Sequence, residues 1–374
     1  MDANTIIVLV FIGMVIFITL KLNRSKHKIQ YKTNRLNNTQ LLSNHPNNSL
    51  SMEENSNNSS LETPEELVDF HLLSSQQLDK QQQQFVQNIA QSFRRPHPLI
   101  LPLTQRSFEP NELFELIKTD AKITARILKE VNSSRFVLMQ PITNINHAIL
   151  FLGVAQVKSI AMQIAIKSDS ECLDEAQAMA YQKLWQASYI ASAFAALFAQ
   201  ELHEGNSAEL STRCLLSYLG DLALLGYDAS IADIYLNENS VFERVQKLQH
   251  KYAINPAIIG QHIAKQWQLP QTIEQGIENS LLMLTNSQEL QPLSQDEMRQ
   301  ALLCYIACRL GDLVVFKGLK NISGFSVDYQ FNELVEFYYL STKQQHLLLQ
   351  PFEKLLKNIT VVNKINKLIT QLGT

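Results

Sequence analysis

The chain has 374 residues, 45% of them hydrophobic and only 18% charged, so there is ample material for a core. Eleven glycines and eleven prolines are few for this length and argue against a many-turned β-sandwich or a fold built on repeated glycine-rich loops. A net charge of −3 gives no global electrostatic case for nucleic-acid binding, and four cysteines without framework spacing exclude a disulfide scaffold.

In chain order, Thr5 to Leu22 is apolar with no charge before Lys21. As a helix it would span about 27 Å, close to a hydrocarbon core of about 30 Å. Its flanks lack a basic leader and a small-residue cleavage site, so the pattern predicts an uncleaved anchor over residues 1–22. Lys21, Arg24, Lys26, Lys28, Lys32 and Arg35 all follow it, which predicts a single-pass inner-membrane protein with the N-terminus outside and the body in the cytoplasm. Residues 23–62 are rich in Asn and Ser and read as a disordered tether. Thr63-Pro64-Glu65-Glu66 carries the marks of a helix start, and a Gln-rich, solvated spacer helix is expected over 63–95.

Beyond Pro98 the 3.6-residue period dominates. Short helices are expected around 113–131, with Asn132 as a left-handed C-cap, and from Asn144 to a closing Gly153. A long helix should run from Asp174 to His203, its small residues between Ala187 and Ala196 allowing close approach of neighbours. Further helices are expected at 209–224, 229–236, 240–251, 256–267, 270–284, 295–316, 330–340 and 342–358. No two-residue alternation supports a sheet. The fold class expected is all-α, a multi-helix bundle.

Several motifs in this body occur in a telling order. They are Leu101-Pro102-Leu103, then Asp120 with Ala125-Arg126-Ile127-Leu128 and Val131-Asn132-Ser133-Ser134, then Ile142, Ala148-Ile149 and Leu152-Gly153. Leu184-Trp185 and Trp267-Gln268-Leu269-Pro270 contain the chain's two tryptophans. Together they resemble the HDOD domain, a bacterial signalling relative of the HD metal-dependent phosphohydrolases. The resemblance implies an HDOD domain over 96–290 and a C-terminal helical extension over 291–374.

It also locates where metal ligands would stand. Divalent ions need several converging N and O ligands, with open positions for water or phosphate. The segment similar to the family's "LLHDIG" reads Leu215-Leu216-Ser217-Tyr218-Leu219-Gly220, so Ser217 and Tyr218 replace the His-Asp pair. The positions matching two further histidines are Ala187 and Pro256, and no paired histidines occur near Glu278 to Leu281. Asp221 is the nearest remaining acid. The resemblance therefore implies a pseudoenzyme without metal or other cofactor, whose degenerate cleft around Ala187, Ser217, Tyr218, Asp221 and Pro256 serves packing or recognition.

Other signals are weaker. The nine histidines are scattered, Cys304 and Cys308 share a helix face as packing residues, and Asp312 and Asp328 read as isolated surface caps. No phosphate loop, dinucleotide fingerprint or nucleophile elbow is present. The expected function is a regulatory protein acting through unidentified signalling partners, with no nucleic acid and with self-association open. Three alternatives stay open: a metal-dependent phosphohydrolase or cyclic-nucleotide phosphodiesterase, a structural part of an envelope machine, and a non-hydrolytic pocket for a nucleotide messenger using Arg126 and Arg135.

Overall fold

Asp79, Asn144, Asp174, Asn206, Ser240, Asn255 and Ser294 each accept a backbone N–H in the first turn of the helix they precede, and these caps punctuate the chain. The computed structural model describes residues 63–372, apart from 94–96, 106, 134–137, 139, 167–173, 238–239, 286–292, 324, 326–333 and 342. They belong to the compact unit Glu62–Thr374. Among the described residues every regular element is helical.

The helices are α1 (Glu65–Val68), α2 (Lys80–Ser92), α3 (Ile100–Gln105), α4 (Pro110–Ile117), α5 (Ala121–Val131) and α6 (Ile145–Leu152). They continue with α7 (Val154–Ile166), α8 (Glu175–Leu202), α9 (Ser207–Leu216), α10 (Leu219–Tyr227), α11 (Ala232–Leu236) and α12 (Val241–Tyr252). The last are α13 (Pro256–Gln266), α14 (Gln271–Glu278), α15 (Gln295–Phe316), α16 (Lys343–Leu356) and α17 (Ile359–Leu372). Short 3-10 turns occupy Asn279–Leu284 and Val335–Ser341.

Helix α8 is the axis of the bundle. Its small residues from Ala187 to Ala196 let α9 and α15 lie directly against it, while α7, α16 and α17 cover other faces. Gly311 of α15 marks the tightest crossing: a Cβ there would stand 2.7 Å from the Ala187 carbonyl oxygen. Ser159, Ser192 and Ser211, one from each of α7, α8 and α9, close a buried ring of hydroxyls at 2.7, 2.8 and 3.2 Å. Each hydroxyl can donate to one neighbour and accept from the other, so none is left unsatisfied. The C-terminal helices are part of the same core, with Phe352 of α16 edge-on to Phe198 of α8 at 5.0 Å.

Four expectations are corrected. The single-pass inner-membrane placement is not upheld, since among the described residues no helix is long and apolar enough to cross a membrane. The longest, α8, is broken by Gln177, Gln182, Lys183 and Gln186, and its apolar positions are taken by neighbouring helices. The anchor expected over 1–22 and the tether over 23–62 lie outside the described residues.

The segment 63–95 is not one solvated helix. Between α1 and α2 the chain is held by side-chain amides: Gln249 accepts from the Leu73 N–H at 3.0 Å and donates to the His71 carbonyl at 2.9 Å, while Asn255 donates to the Leu73 carbonyl at 2.8 Å. Helix α2 then buries Val86, Ile89 and Ala90 against α10 and α13. Asn132 does end α5, but with φ −86°; its side chain instead brackets Ile142, accepting from the N–H and donating to the carbonyl, both at 2.7 Å. The helix expected over 209–224 is two helices, α9 and α10, joined at Ser217-Tyr218.

Candidate functional site

The α9–α10 joint places Ser217 and Tyr218, the two residues that the sequence resemblance sets against the family's His-Asp pair. Ser217 turns inward and donates its hydroxyl to the Arg213 carbonyl at 2.8 Å, closing α9. Tyr218 is 3% exposed, with its hydroxyl 3.0 Å from both the Cys308 carbonyl and Asp312 Oδ1 of α15. Helix α10 continues into Gly220, which lies against Pro256 and Gly260 of α13.

Asp312 is the hub of what surrounds Tyr218. Its Oδ2 receives Arg244 Nη2 from α12 at 2.8 Å and lies 3.1 Å from Arg309 Nη1 of its own helix. The Arg244 guanidinium sits 4.4 Å from the centre of the Phe316 ring, and that of Arg309 5.1 Å from Tyr305. Burial works against both charges, but the Asp312 carboxylate outweighs it and lifts each guanidinium above its usual range. Two permanent cations therefore stand beside Tyr218, joined to it through Asp312.

The acids divide by environment. Burial pushes the Asp221 carboxyl up to about 6, with Arg244 and the Tyr235 hydroxyl, 3.1 Å away, opposing the shift. Glu336, from the 3-10 turn after α15, is also raised by burial, and its Oε2 has no hydrogen-bond partner among the described residues.

A raised carboxyl binds its proton more tightly folded than unfolded. Its contribution to stability is complete below its ordinary pKa near 4 and lost as pH climbs through about 6. Asp221→Asn should therefore gain on the parent chain by up to about 3 kcal/mol between pH 4 and pH 7, with no further change above. Urea unfolding of both proteins at pH 4, 5, 6 and 7 measures the difference. A constant difference would contradict the shift.

Four of the five residues singled out in the sequence come together here. Ser217, Tyr218, Asp221 and Pro256 line one cavity of about 20 Å³ with Arg244 and Arg309. That space admits about one water molecule. Ala187 is not among its walls; it is buried on α8 against Gly311.

A divalent ion does not fit this arrangement. Its walls offer Asp221 as the only carboxylate, and two guanidinium groups repel a cation. Among the described residues no three His, Cys, Asp or Glu side chains are grouped so as to hold a metal ion. Cys214, Cys304 and Cys308 lie between α9 and α15, and burial pushes the Cys214 thiol well up. Their sulfurs face backbone carbonyls, Cys214 toward Cys304 at 3.6 Å and Cys304 toward Leu210 at 3.9 Å.

The expectation that Asp312 is a surface cap is wrong, because Arg309 and Asp312 enter the core as a pair. Sequence reasoning missed Arg244 and Arg309 as well, although a signal existed. Arg309 and Asp312 are the only charges between Arg299 and Lys317, and Arg244 interrupts the apolar stripe Val241-Val245-Leu248. A charge inside an apolar stripe needs a partner. Arg126 lines none of the cavities described, and Arg135 lies outside the described residues.

The sequence profile of the HDOD domain family matches residues 97–281. The chain carries an HDOD domain. No match is found among curated proteins. Similar solved structures include an HDOD domain protein of unknown function from Geobacter sulfurreducens, 17% identical, spanning 76% of this chain and 98% of that one with a TM-score of 0.47. Another is a candidate phosphohydrolase from Shewanella amazonensis, 16% identical over 77% of this chain and 96% of its own, with a TM-score of 0.49. The response regulator MmoQ from Methylococcus capsulatus is 19% identical over 76% and 99%, with a TM-score of 0.34. Tyr218, Asp221 and Arg244 lie within the HDOD domain, whereas Arg309, Asp312 and Glu336 come from the chain after it. The helix that follows the domain thus supplies Arg309 and Asp312, two of the three charges in the network around Tyr218.

Proposed function

We propose that this HDOD protein is a non-catalytic regulatory module that works by binding signalling partners. The observation that carries the reading is the Tyr218 hydroxyl on Asp312, in a 20 Å³ cavity flanked by Arg244 and Arg309. Hydrolysis of a phosphate ester by an HD-type centre needs a metal to polarise the phosphoryl group and to generate hydroxide. Here the ligand positions hold a hydroxyl, a phenol, a methyl group and a proline ring, and the cations present are fixed guanidiniums. This cleft has no room for a phosphate-ester substrate, which supports a working part elsewhere on the bundle.

The full-length protein incubated with Mn²⁺ and bis(p-nitrophenyl) phosphate tests this. The reading expects no chelator-sensitive hydrolysis above that of a Tyr218→Phe variant. A chelator-sensitive rate that the variant lacks would favour the phosphohydrolase alternative.

A further inference from the structure

Three thiols meet where the HDOD domain joins the helix that follows it. Cys214 belongs to α9, within the domain, and Cys304 and Cys308 stand one turn apart on α15. The Cys214 thiol interacts with the thiols of both. We propose that Cys304 is a site of oxidation by a hydroperoxide, trapped as a disulfide with Cys214.

Access singles out Cys304. Of the three, it alone lines a cavity of about 530 Å³, whose rim carries the exposed Gln76, Thr272 and Glu297. Glu297, Gln300, Ala301 and Cys304 follow the three- and four-residue spacing of one helix face, so Cys304 lies on the face of α15 that looks into the cavity. It is 7% exposed, against 0% for Cys214 and 2% for Cys308. Hydrogen peroxide is little larger than a water molecule, and a space of this size admits it.

The partner is already in place. Cys214 Sγ stands 3.6 Å from the Cys304 carbonyl oxygen and Cys308 Sγ 4.0 Å from the Cys214 carbonyl oxygen, so sulfur meets the opposite backbone in both directions. A sulfenic acid formed beside a thiol condenses with it. In the first step the Cys304 sulfur takes one oxygen of hydrogen peroxide, the O–O bond breaks and the other oxygen leaves as water, so that S–OH replaces S–H. In the second the Cys214 sulfur attacks the Cys304 sulfur. An S–S bond forms as the S–O bond breaks, and the hydroxide departs with the Cys214 proton as water. Two thiols are oxidised and one peroxide is reduced to two waters. Burial keeps Cys214 in its thiol form, which suits it to the second step, where the leaving hydroxide takes its proton. The bond ties α9 to α15 and so fixes the domain to the helix after it.

Full-length protein treated with hydrogen peroxide, alkylated and digested with trypsin tests the proposal. Cleavage after Arg213, Arg244, Arg299 and Arg309 puts Cys214 on one peptide and Cys304 with Cys308 on another. Mass spectrometry should show the two joined and lighter than their sum by two hydrogens, with fragment ions placing the link at Cys304 and dithiothreitol undoing it. Cys214→Ala should instead leave Cys304 as a sulfenic acid that dimedone captures. Absence of the joined pair in protein still folded by circular dichroism, a pair that forms only in urea, a link that runs through Cys308, or a folded Cys214→Ala protein without the dimedone adduct would overturn it.

Discussion

Asp312→Ala should lower the free energy of unfolding by about 3–5 kcal/mol. The carboxylate is 6% exposed and is the counter-ion of two guanidiniums that are themselves 3% and 4% exposed. Removing it leaves both cations buried beside each other and frees Asp312's share of the Tyr218 hydroxyl. The apolar replacement of all three, Arg244→Met with Arg309→Met and Asp312→Leu, should be much milder than the single change, because no charge is stranded. Urea denaturation of both variants reads the comparison. A loss below about 1 kcal/mol for Asp312→Ala would mean the network does not hold the domain to the helix that follows it.

Gly220→Ala should cost more still and is expected to abolish cooperative folding. An added Cβ would overlap the Pro256 carbonyl oxygen, lie 2.7 Å from the Pro256 carbonyl carbon and 2.9 Å from the Gly260 nitrogen. All three are backbone atoms, so no side chain can swing aside, and α10 and α13 would have to separate along a contact that includes the walls of the cleft. Gly153→Ala is the control. That glycine, at φ +84° and ψ 159°, occupies a region essentially reserved for glycine and has nothing within 4 Å of its Cβ position, so its cost is the backbone strain alone, about 1–3 kcal/mol. Circular dichroism melts of the two variants separate steric exclusion from conformational strain. A Gly220→Ala protein that melts like the parent would refute the close crossing.

The sequence was most readable where a local signal and the packing agreed. Asp174 and His203 bound α8 because one is a strong N-cap and the other takes the left-handed C-cap conformation, with φ 54°. The run from Ala187 to Ala196 reads as a crossing surface for the same reason it is one. The α9–α10 break was hidden, since Leu-Ser-Tyr-Leu carries no glycine or proline and the bend is fixed by Tyr218 reaching α15, some ninety residues away. The extended stretch before α2 was equally hidden, because its hydrogen bonds come from Gln249 and Asn255.

The candidate site divides along the same line. Ser217, Tyr218 and Pro256 could be singled out as single positions, by comparison with the family's motif. The network around them could not, because Arg244, Arg309 and Asp312 come from two helices that only the fold brings together. Asp312 looked like one acid among apolar neighbours; in place it neutralises two cations and receives a phenol.

Elemental analysis of the full-length protein, purified without chelator and measured by plasma mass spectrometry, bears most directly on the cavity beside Ser217 and Tyr218. The guanidinium-lined cavity predicts no stoichiometric manganese, iron or zinc in the folded protein. One or more of these ions per chain, retained through gel filtration and removed only by chelator, would contradict it.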